Sequence, residues 1–160
     1  MAYRLYFAYG SNMSPGQMRA RCPSARPVGP ARLDGFRFFI NRRGTAAVRR
    51  WDGAAVHGVV FRVTHRCVET LDRFEGIRLG RYRQRQVDLD YHGERLHGFV
   101  YEGMSHVEGR PVRAYLDGVV IPAARLWGLP RDYIDELDSW FGAYRIGPSR
   151  PRRPGASWKA

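Results

Sequence analysis

Residues 6–13 read Tyr-Phe-Ala-Tyr-Gly-Ser-Asn-Met, and the N-terminal architecture can be worked out from this stretch. Residues 3–9 are mostly aromatic and apolar, which is typical of a buried β-strand. Gly10 ends the strand, and signals for a helix start follow at once. Ser14 suits the N-cap position and Pro15 the first helical position. The sequence therefore predicts a strand, a tight loop and then the N-terminus of a helix.

The loop between this strand and this helix is the first candidate functional feature. Backbone N–H groups at a helix N-terminus have no partner within the helix, and the helix dipole adds partial positive charge there. Gly10 allows a close approach that a Cβ would block, and Ser11 and Asn12 add side-chain donors. The loop is thus a candidate site for a carboxylate or an oxyanion. On spacing alone, an ordinary polar turn that caps a helix explains it equally well.

Glu75 is the second candidate functional residue. It follows Leu71 and Phe74, which fall on one apolar face of a predicted helix, and it precedes Gly76, which suits the position just past the helix end. Apolar neighbours disfavour the charged form of a carboxyl group and raise its pKa toward values useful for acid–base chemistry. A solvent-facing glutamate in the last helical turn is the simpler explanation of this segment taken alone.

The remaining pattern predicts an α+β fold with one domain over residues 1–146 and a basic, Pro- and Arg-rich flexible tail over residues 147–160. Further strands are predicted at residues 35–40, at 54–63 with Gly58 as a possible bulge, and in a hairpin of 87–91 and 96–101. Helices are predicted after Thr64 and at residues 112–116, 122–127 and 130–141.

Composition narrows the class of protein. The 160 residues carry a formal net charge of +12, with Lys159 as the single lysine. Such charge could attract nucleic acid or an anionic substrate, but arginine-rich surface charge is the simpler interpretation. No apolar run suggests a membrane span or a signal peptide. Cys22 and Cys67 lie far apart in sequence, which favours a reduced, cytoplasmic protein. The five histidines have no metal-ligand spacing.

These residues resemble the γ-glutamylcyclotransferase-like (AIG2-like) superfamily. The resemblance rests on the 6–13 stretch, on the Leu-Asp-Arg-Phe-Glu-Gly run at 71–76 and on Tyr82, seven residues after the acid. It extends over about residues 3–141. It implies a compact mixed β-barrel flanked by short helices. It also implies an enzyme that cyclises a γ-glutamyl amide or peptide to 5-oxoproline and releases an amine or amino acid.

The resemblance also implies roles for individual residues. Glu75 would be the general acid/base, and Gly10, Ser11 and Asn12 would hold either the substrate's α-carboxylate or the developing oxyanion. Tyr9 belongs to the same substrate-binding loop, and Tyr82 and Tyr115 match tyrosines that line the pocket. No metal or cofactor is implied, and the partner is a small γ-glutamyl molecule acted on by a monomer or homodimer.

Two questions stay open at this point. The arginine-rich segment from Asn41 to Gly44 could lie near the pocket and favour an acidic leaving group such as a glutathione-like peptide, although surface charge is the preferred interpretation of its arginines. The rival function is a catalytically inactive member of the fold that binds anions or nucleic acid through its basic surface. Retention of Glu75 disfavours that rival.

Overall fold

The five strands form a closed barrel in the order β1-β3-β2-β4-β5. The structure is a computed structural model and describes residues 2–145, with side chains described as far as Gly142. The predicted tail at 147–160 lies outside the described residues. The strands are β1 (Tyr3–Ala8), β2 (Arg26–Ile40), β3 (Ala46–Thr64), β4 (Tyr82–Tyr91) and β5 (Glu94–Gly103). The mixed α+β barrel expected from the sequence is confirmed.

The barrel closes through a short parallel contact between β1 and β5, in which Tyr6 pairs with Phe99. The other strand pairs are antiparallel. Side chains reinforce the closure. The Tyr6 ring lies against the rings of Phe99 and Tyr101, with centroids 5.4 and 5.7 Å away, and the Tyr9 hydroxyl donates to the Tyr101 carbonyl oxygen at 2.6 Å. Aromatic side chains therefore join the two edges that backbone hydrogen bonds join only briefly.

Strands β2 and β3 form a long hairpin, and both extend beyond their predicted limits. The added segments combine exposed polar residues with buried apolar ones, among them Leu33 and Val48. The prediction of a bulge at Gly58 is wrong. Gly58 pairs in register with Ala31, and the register shifts fall elsewhere, at Pro27 to Gly29 of β2 and where the pairing passes from Asp34–Ala55 to Phe36–Arg50. A Cβ at Gly58 would lie 2.3 Å from the Ala8 carbonyl oxygen, so glycine is needed there for close approach of β1 to β3.

The helices are α1 (Pro15–Arg21), α2 (His65–Glu75), α3 (Arg113–Tyr115), α4 (Ile121–Leu126) and α5 (Arg131–Arg145). Ser14 caps α1 and Thr64 caps α2, each through a side-chain oxygen, as predicted. A π-helical turn, Leu116–Val120, joins α3 to α4, so the two short helices predicted there form one continuous segment. The turn precedes Pro122, which has no N–H to continue regular α-helical bonding.

One hydrophobic core fills the barrel and extends under the C-terminal helices. Leu137 and Trp140 of α5 are fully buried, and the Trp140 ring meets the Phe38 ring of β2 edge-on at 6.4 Å between centroids. Within residues 2–145, no helix is long and apolar enough to cross a membrane.

The two cysteines form a disulfide, which the sequence separation of 45 residues concealed. Cys22 is the C-cap of α1, and Cys67 lies in the first turn of α2. The β2–β3 hairpin that separates them runs out and back, so their Cα atoms are 5.3 Å apart. A disulfide is typical of oxidising compartments, so it weighs against the reduced setting that the sequence favoured.

Candidate active site

A cavity of about 350 Å³ opens where the C-terminal ends of β1 and β5 meet the N-terminal ends of β3 and β4. It contains every site residue predicted from the sequence: Tyr9, Gly10, Ser11, Asn12, Glu75, Tyr82 and Tyr115. Other residues also line it, among them Tyr6, Arg21, Arg43, Phe74 and Tyr101. The structure thus brings together side chains that are more than 100 residues apart in sequence.

The N-terminal loop is organised by an arginine. Ser11–Met13 form a separate 3₁₀ turn, while α1 begins later and has its own cap at Ser14. The guanidinium of Arg21, the last residue of α1, donates to Ser11 Oγ at 3.0 Å and also to Asn12 Oδ1. The predicted reliance on the dipole of the following helix is therefore incorrect. A full positive charge, carried on a side chain, stands beside the loop instead.

Gly10 makes the close approach that the sequence suggested. Its φ of −116° is negative, so no left-handed backbone conformation calls for glycine at this position. A Cβ at this position would instead lie 2.8 Å from the Tyr115 hydroxyl oxygen and 3.4 Å from the Ala46 Cβ. The absence of a side chain at Gly10 lets the Tyr115 hydroxyl sit directly against the loop.

Glu75 is the last residue of α2 and is half-buried in the pocket wall. Burial raises the pKa of its carboxyl group to about 7, although the nearby Arg21 and Arg43 pull that pKa in the opposite direction. Phe74 does not bury it in the way predicted, because 58% of Phe74 is exposed and its ring supports the Arg21 guanidinium at 4.1 Å. A carboxyl group with this pKa exchanges protons readily near neutral pH.

Asn41 and Tyr82 hold the turn between β2 and β3 against the pocket. Asn41 Nδ2 donates to the Tyr82 hydroxyl at 2.9 Å, and that hydroxyl donates to the Ala46 carbonyl oxygen at 2.7 Å. Asn41 Oδ1 accepts from the backbone N–H of Arg43 and of Thr45. Asn41 belongs to the 41–44 segment that the sequence suggested could lie near the pocket, but its role was not predicted, because that role depends on a contact 41 residues away.

Asp72 and Tyr101 form a second buried connection that sequence reasoning missed. The Tyr101 hydroxyl donates to Asp72 Oδ1 at 2.7 Å, and Gln84 Nε2 donates to the same oxygen at 2.6 Å. Asp72 lies one helical turn before Glu75 on α2, and its place in the 71–76 run was the available signal. These bonds fix α2 to β4 and β5 and so fix the position of Glu75.

The arginines after β2 divide between pocket and surface. Arg43 lines the pocket from an exposed position, with its guanidinium 5.8 Å from the centre of the Tyr82 ring. Arg42 is exposed and does not line the pocket. The preferred interpretation as surface charge therefore holds for Arg42, while Arg43 carries its charge at the pocket rim.

Metal ligation has no support in the described part of the chain, where no group of three or more His, Cys, Asp or Glu side chains is placed to hold an ion. His57 instead packs against the Tyr133 ring, 4.9 Å between centroids, beside a different cavity. The site's chemistry therefore rests on one acid, several hydroxyl groups and two arginines.

The protein therefore combines a closed barrel with a tyrosine-lined pocket that contains a half-buried acid. The family model "Gamma-glutamyl cyclotransferase, AIG2-like" matches residues 6–117. The γ-glutamylcyclotransferase of Bos taurus is 31% identical over 146 residues, which cover 84% of this chain and 77% of that protein. The Homo sapiens γ-glutamylcyclotransferase is 30% identical and covers 83% and 76%.

A solved structure of a γ-glutamyl cyclotransferase superposes with a TM-score of 0.80 at 27% identity, over 86% of this chain and 88% of that one. Sequence and fold therefore agree on the same class of enzyme. The chain belongs to the γ-glutamyl cyclotransferase, AIG2-like family.

Proposed function

We propose that this enzyme converts a γ-glutamyl amide or peptide into 5-oxoproline and a free amine or amino acid, with Glu75 as the general acid/base. The observation that carries the proposal is a half-buried carboxyl group with a pKa of about 7, facing a loop rich in hydrogen-bond donors. A group with that pKa can accept a proton in one step and return it in the next.

In the proposed reaction, the carboxylate of Glu75 takes a proton from the substrate's α-ammonium group. The freed amine attacks the γ-carbonyl carbon, a C–N bond forms and the carbonyl oxygen becomes an oxyanion. The oxyanion then collapses, the bond to the leaving nitrogen breaks, and Glu75 gives its proton to that nitrogen. The ring nitrogen still carries one proton more than the lactam needs, and Glu75 takes up this second proton and passes it to the released amine, which leaves as an ammonium ion. The substrate supplies its own nucleophile, so the protein needs no reactive serine or cysteine.

Positioning would provide much of the rate enhancement. The attack joins two parts of one molecule, and correct alignment of such groups is worth roughly 7–11 kcal/mol. A pocket of about 350 Å³ is large enough to fold a γ-glutamyl group and small enough to restrict it. Arg21 and Arg43 suit a substrate that carries negative charge.

We also propose a cytoplasmic enzyme that acts as a monomer or homodimer on a small molecule. The disulfide between Cys22 and Cys67 weighs against a reducing compartment. Alkylation of free thiols at the moment of cell lysis tests the proposal, since a cytoplasmic protein should be recovered with both cysteines alkylated.

The test of the function is an assay of purified protein against a panel of γ-glutamyl amines and γ-glutamyl amino acids, with 5-oxoproline as the measured product. At least one compound should give product, and Glu75→Gln should abolish it. Glu69→Gln, an exposed glutamate on the same helix, is the matched control and should retain activity. The proposal is wrong if no compound reacts or if Glu75→Gln keeps the wild-type rate.

A further inference from the structure

The five tyrosines that line the pocket differ in which part of the hydroxyl group is already used. The Tyr82 hydroxyl donates to the Ala46 carbonyl oxygen and accepts from Asn41, so its proton is not available to a substrate. Tyr9 and Tyr101 have their protons committed, to the Tyr101 carbonyl oxygen and to the Asp72 carboxylate. Neither carbonyl nor carboxylate can donate in return. Toward the pocket, Tyr9 and Tyr101 can therefore only accept hydrogen bonds.

Tyr115 differs from Tyr9 and Tyr101 because, within the part of the chain that the structure describes, its oxygen already accepts a hydrogen bond while its proton is not yet donated. Its hydroxyl oxygen accepts from the backbone N–H of Ala46 at 3.2 Å, and a backbone group can only donate in that bond. The backbone of Ser11 also lies close enough to lower the pKa that burial raises. Within residues 2–145, no acceptor lies within hydrogen-bond distance for the Tyr115 proton. The Tyr115 hydroxyl lies against Gly10, so this proton is available to a molecule in the pocket.

The position of the Tyr115 hydroxyl affects which group in the pocket can bind an oxyanion. The Ala46 amide donates to the Tyr115 oxygen, so this amide acts on the tyrosine and not on a substrate. Donation to a phenol oxygen polarises its O–H bond and strengthens it as a donor, since hydrogen bonds in a chain reinforce one another. An oxyanion in the pocket would meet this hydroxyl.

Resting on the proposed function, we propose that Tyr115 is a second catalytic residue, whose hydroxyl donates a hydrogen bond to the γ-carbonyl oxygen and stabilises the oxyanion formed when the α-amine attacks. Tyr115 keeps its proton throughout, while Glu75 carries the transferred one. The loop at Ser11 and Asn12, held by Arg21, is then left to bind the substrate's α-carboxylate.

Tyr6 is the competing donor. Arg21 binds Asn12 Oδ1, so the Asn12 amide must present Nδ2 to the Tyr6 oxygen, at 3.0 Å, which leaves the Tyr6 proton free as well. Tyr6, however, is linked to the side of the loop that binds Arg21, where a carboxylate is favoured. Tyr6→Phe should therefore raise KM more than it lowers kcat, whereas Tyr115→Phe should do the reverse.

The decisive experiment compares steady-state kinetics of Tyr115→Phe with those of the wild type on the best substrate of the panel. We expect kcat to fall by about 10²–10³-fold, the usual effect of removing one oxyanion donor, with KM changed by less than about threefold. Tyr91→Phe is the matched control, because Tyr91 donates to the Val28 carbonyl oxygen outside the pocket. A kcat loss below about fivefold in Tyr115→Phe, or a large loss seen with Tyr6→Phe instead, would overturn the assignment.

A second measurement covers the case in which Tyr115→Phe does not fold. Fluorinated tyrosines at position 115 keep the hydroxyl and make it a stronger donor, so kcat should rise along the series at a pH where the phenol stays protonated. A kcat that does not respond to phenol acidity contradicts the proposal. Absence of 5-oxoproline with the wild type would overturn the proposed function and this role with it, whereas an active wild type with insensitive variants overturns only the role of Tyr115.

Discussion

At the scale of single residues, the arginines of the pocket place positive charge beside the N-terminal loop and beside the carboxyl group of Glu75. Arg21 shows this best, since one guanidinium binds the loop at Ser11 and Asn12, lies over the Phe74 ring and lowers the pKa of Glu75. The pKa of Glu75 is therefore determined by two opposing effects. Burial raises its pKa and the arginines limit the rise, which leaves the group near neutrality.

The pH dependence of turnover should follow Glu75. The proposed base must be unprotonated to accept the α-ammonium proton, so kcat/KM should be low in acid and rise with pH, reaching half of its plateau near the pKa of about 7. Arg43→Gln removes a charge that lowers this pKa, so its rising limb should move to higher pH. Arg42→Gln, on the exposed side of the same turn, should leave the limb in place. A limb centred near pH 4.5 would exclude Glu75 in this environment.

Gly10→Ala tests the contact between the loop and Tyr115. The new Cβ would lie 2.8 Å from the tyrosine oxygen and must displace it, so kcat should fall about as far as in Tyr115→Phe. Because both changes remove one interaction, the double variant should be little worse than either single variant. Gly142→Ala, where a Cβ meets no atom within 4 Å, is the control. Fully additive losses would show that Gly10 acts independently of Tyr115.

Local sequence could predict part of the site. Gly10, Ser11, Asn12 and Glu75 lie in short motifs whose strand, turn and helix-end signals are readable residue by residue. The pocket brings Tyr6, Arg21 and Tyr101 to the same place, but their functions depend on partners that no local pattern identifies. The bond from Tyr9 to the Tyr101 backbone spans 92 residues, and only the closed barrel brings its ends together.

At the scale of elements, α1 carries Arg21 and α2 carries Glu75, and the disulfide between Cys22 and Cys67 joins the two helices. Side-chain caps at Ser14 and Thr64 start both helices as the sequence predicted. Strand limits were less predictable, since β2 and β3 continue well past the predicted segments through stretches in which arginines and prolines interrupt the apolar pattern. The disulfide could not be predicted, because Cys22 and Cys67 come together only when the β2–β3 hairpin brings the chain back to the end of α1.

Removal of the disulfide should weaken the link between α1 and α2. A crosslink over 45 residues stabilises a folded protein by about 4 kcal/mol on the chain-entropy account. The double variant Cys22→Ala, Cys67→Ala should therefore unfold at lower urea concentration than the oxidised wild type. Added reductant should bring the wild type toward the variant and leave the variant unchanged. Equal unfolding midpoints for oxidised wild type and double variant would show that the disulfide contributes nothing.

At the scale of the whole molecule, the α+β class, the barrel and the family were all predictable, because motifs at both ends of the matched region agree with a single fold. Among the residues that the structure describes, those that line the pocket lie between Tyr6 and Val119. The C-terminal helix contributes to the core through Leu137 and Trp140. The assignment of residues 1–146 as the domain stays a prediction.

Truncation after residue 146 tests that assignment. Since no residue beyond Val119 lines the pocket in the described part of the chain, kcat and KM should both stay within about twofold of the full-length values. Thermal unfolding of the truncated protein should also be unchanged, since the core residues of α5 are retained. A large rise in KM would show that the basic segment contributes to substrate binding.

The closure of the barrel between β1 and β5 has a consequence for how such proteins diverge. Tyr6, Tyr9 and Tyr101 line the pocket and also join the two strand edges, so a descendant that abandoned catalysis would still need them to remain folded. Glu75 takes part in none of these contacts across the closure within residues 2–145. In another sequence of this fold, the presence of these tyrosines therefore indicates only that the barrel closes in the same way. The acid at the end of α2 is the better indication that catalysis is retained.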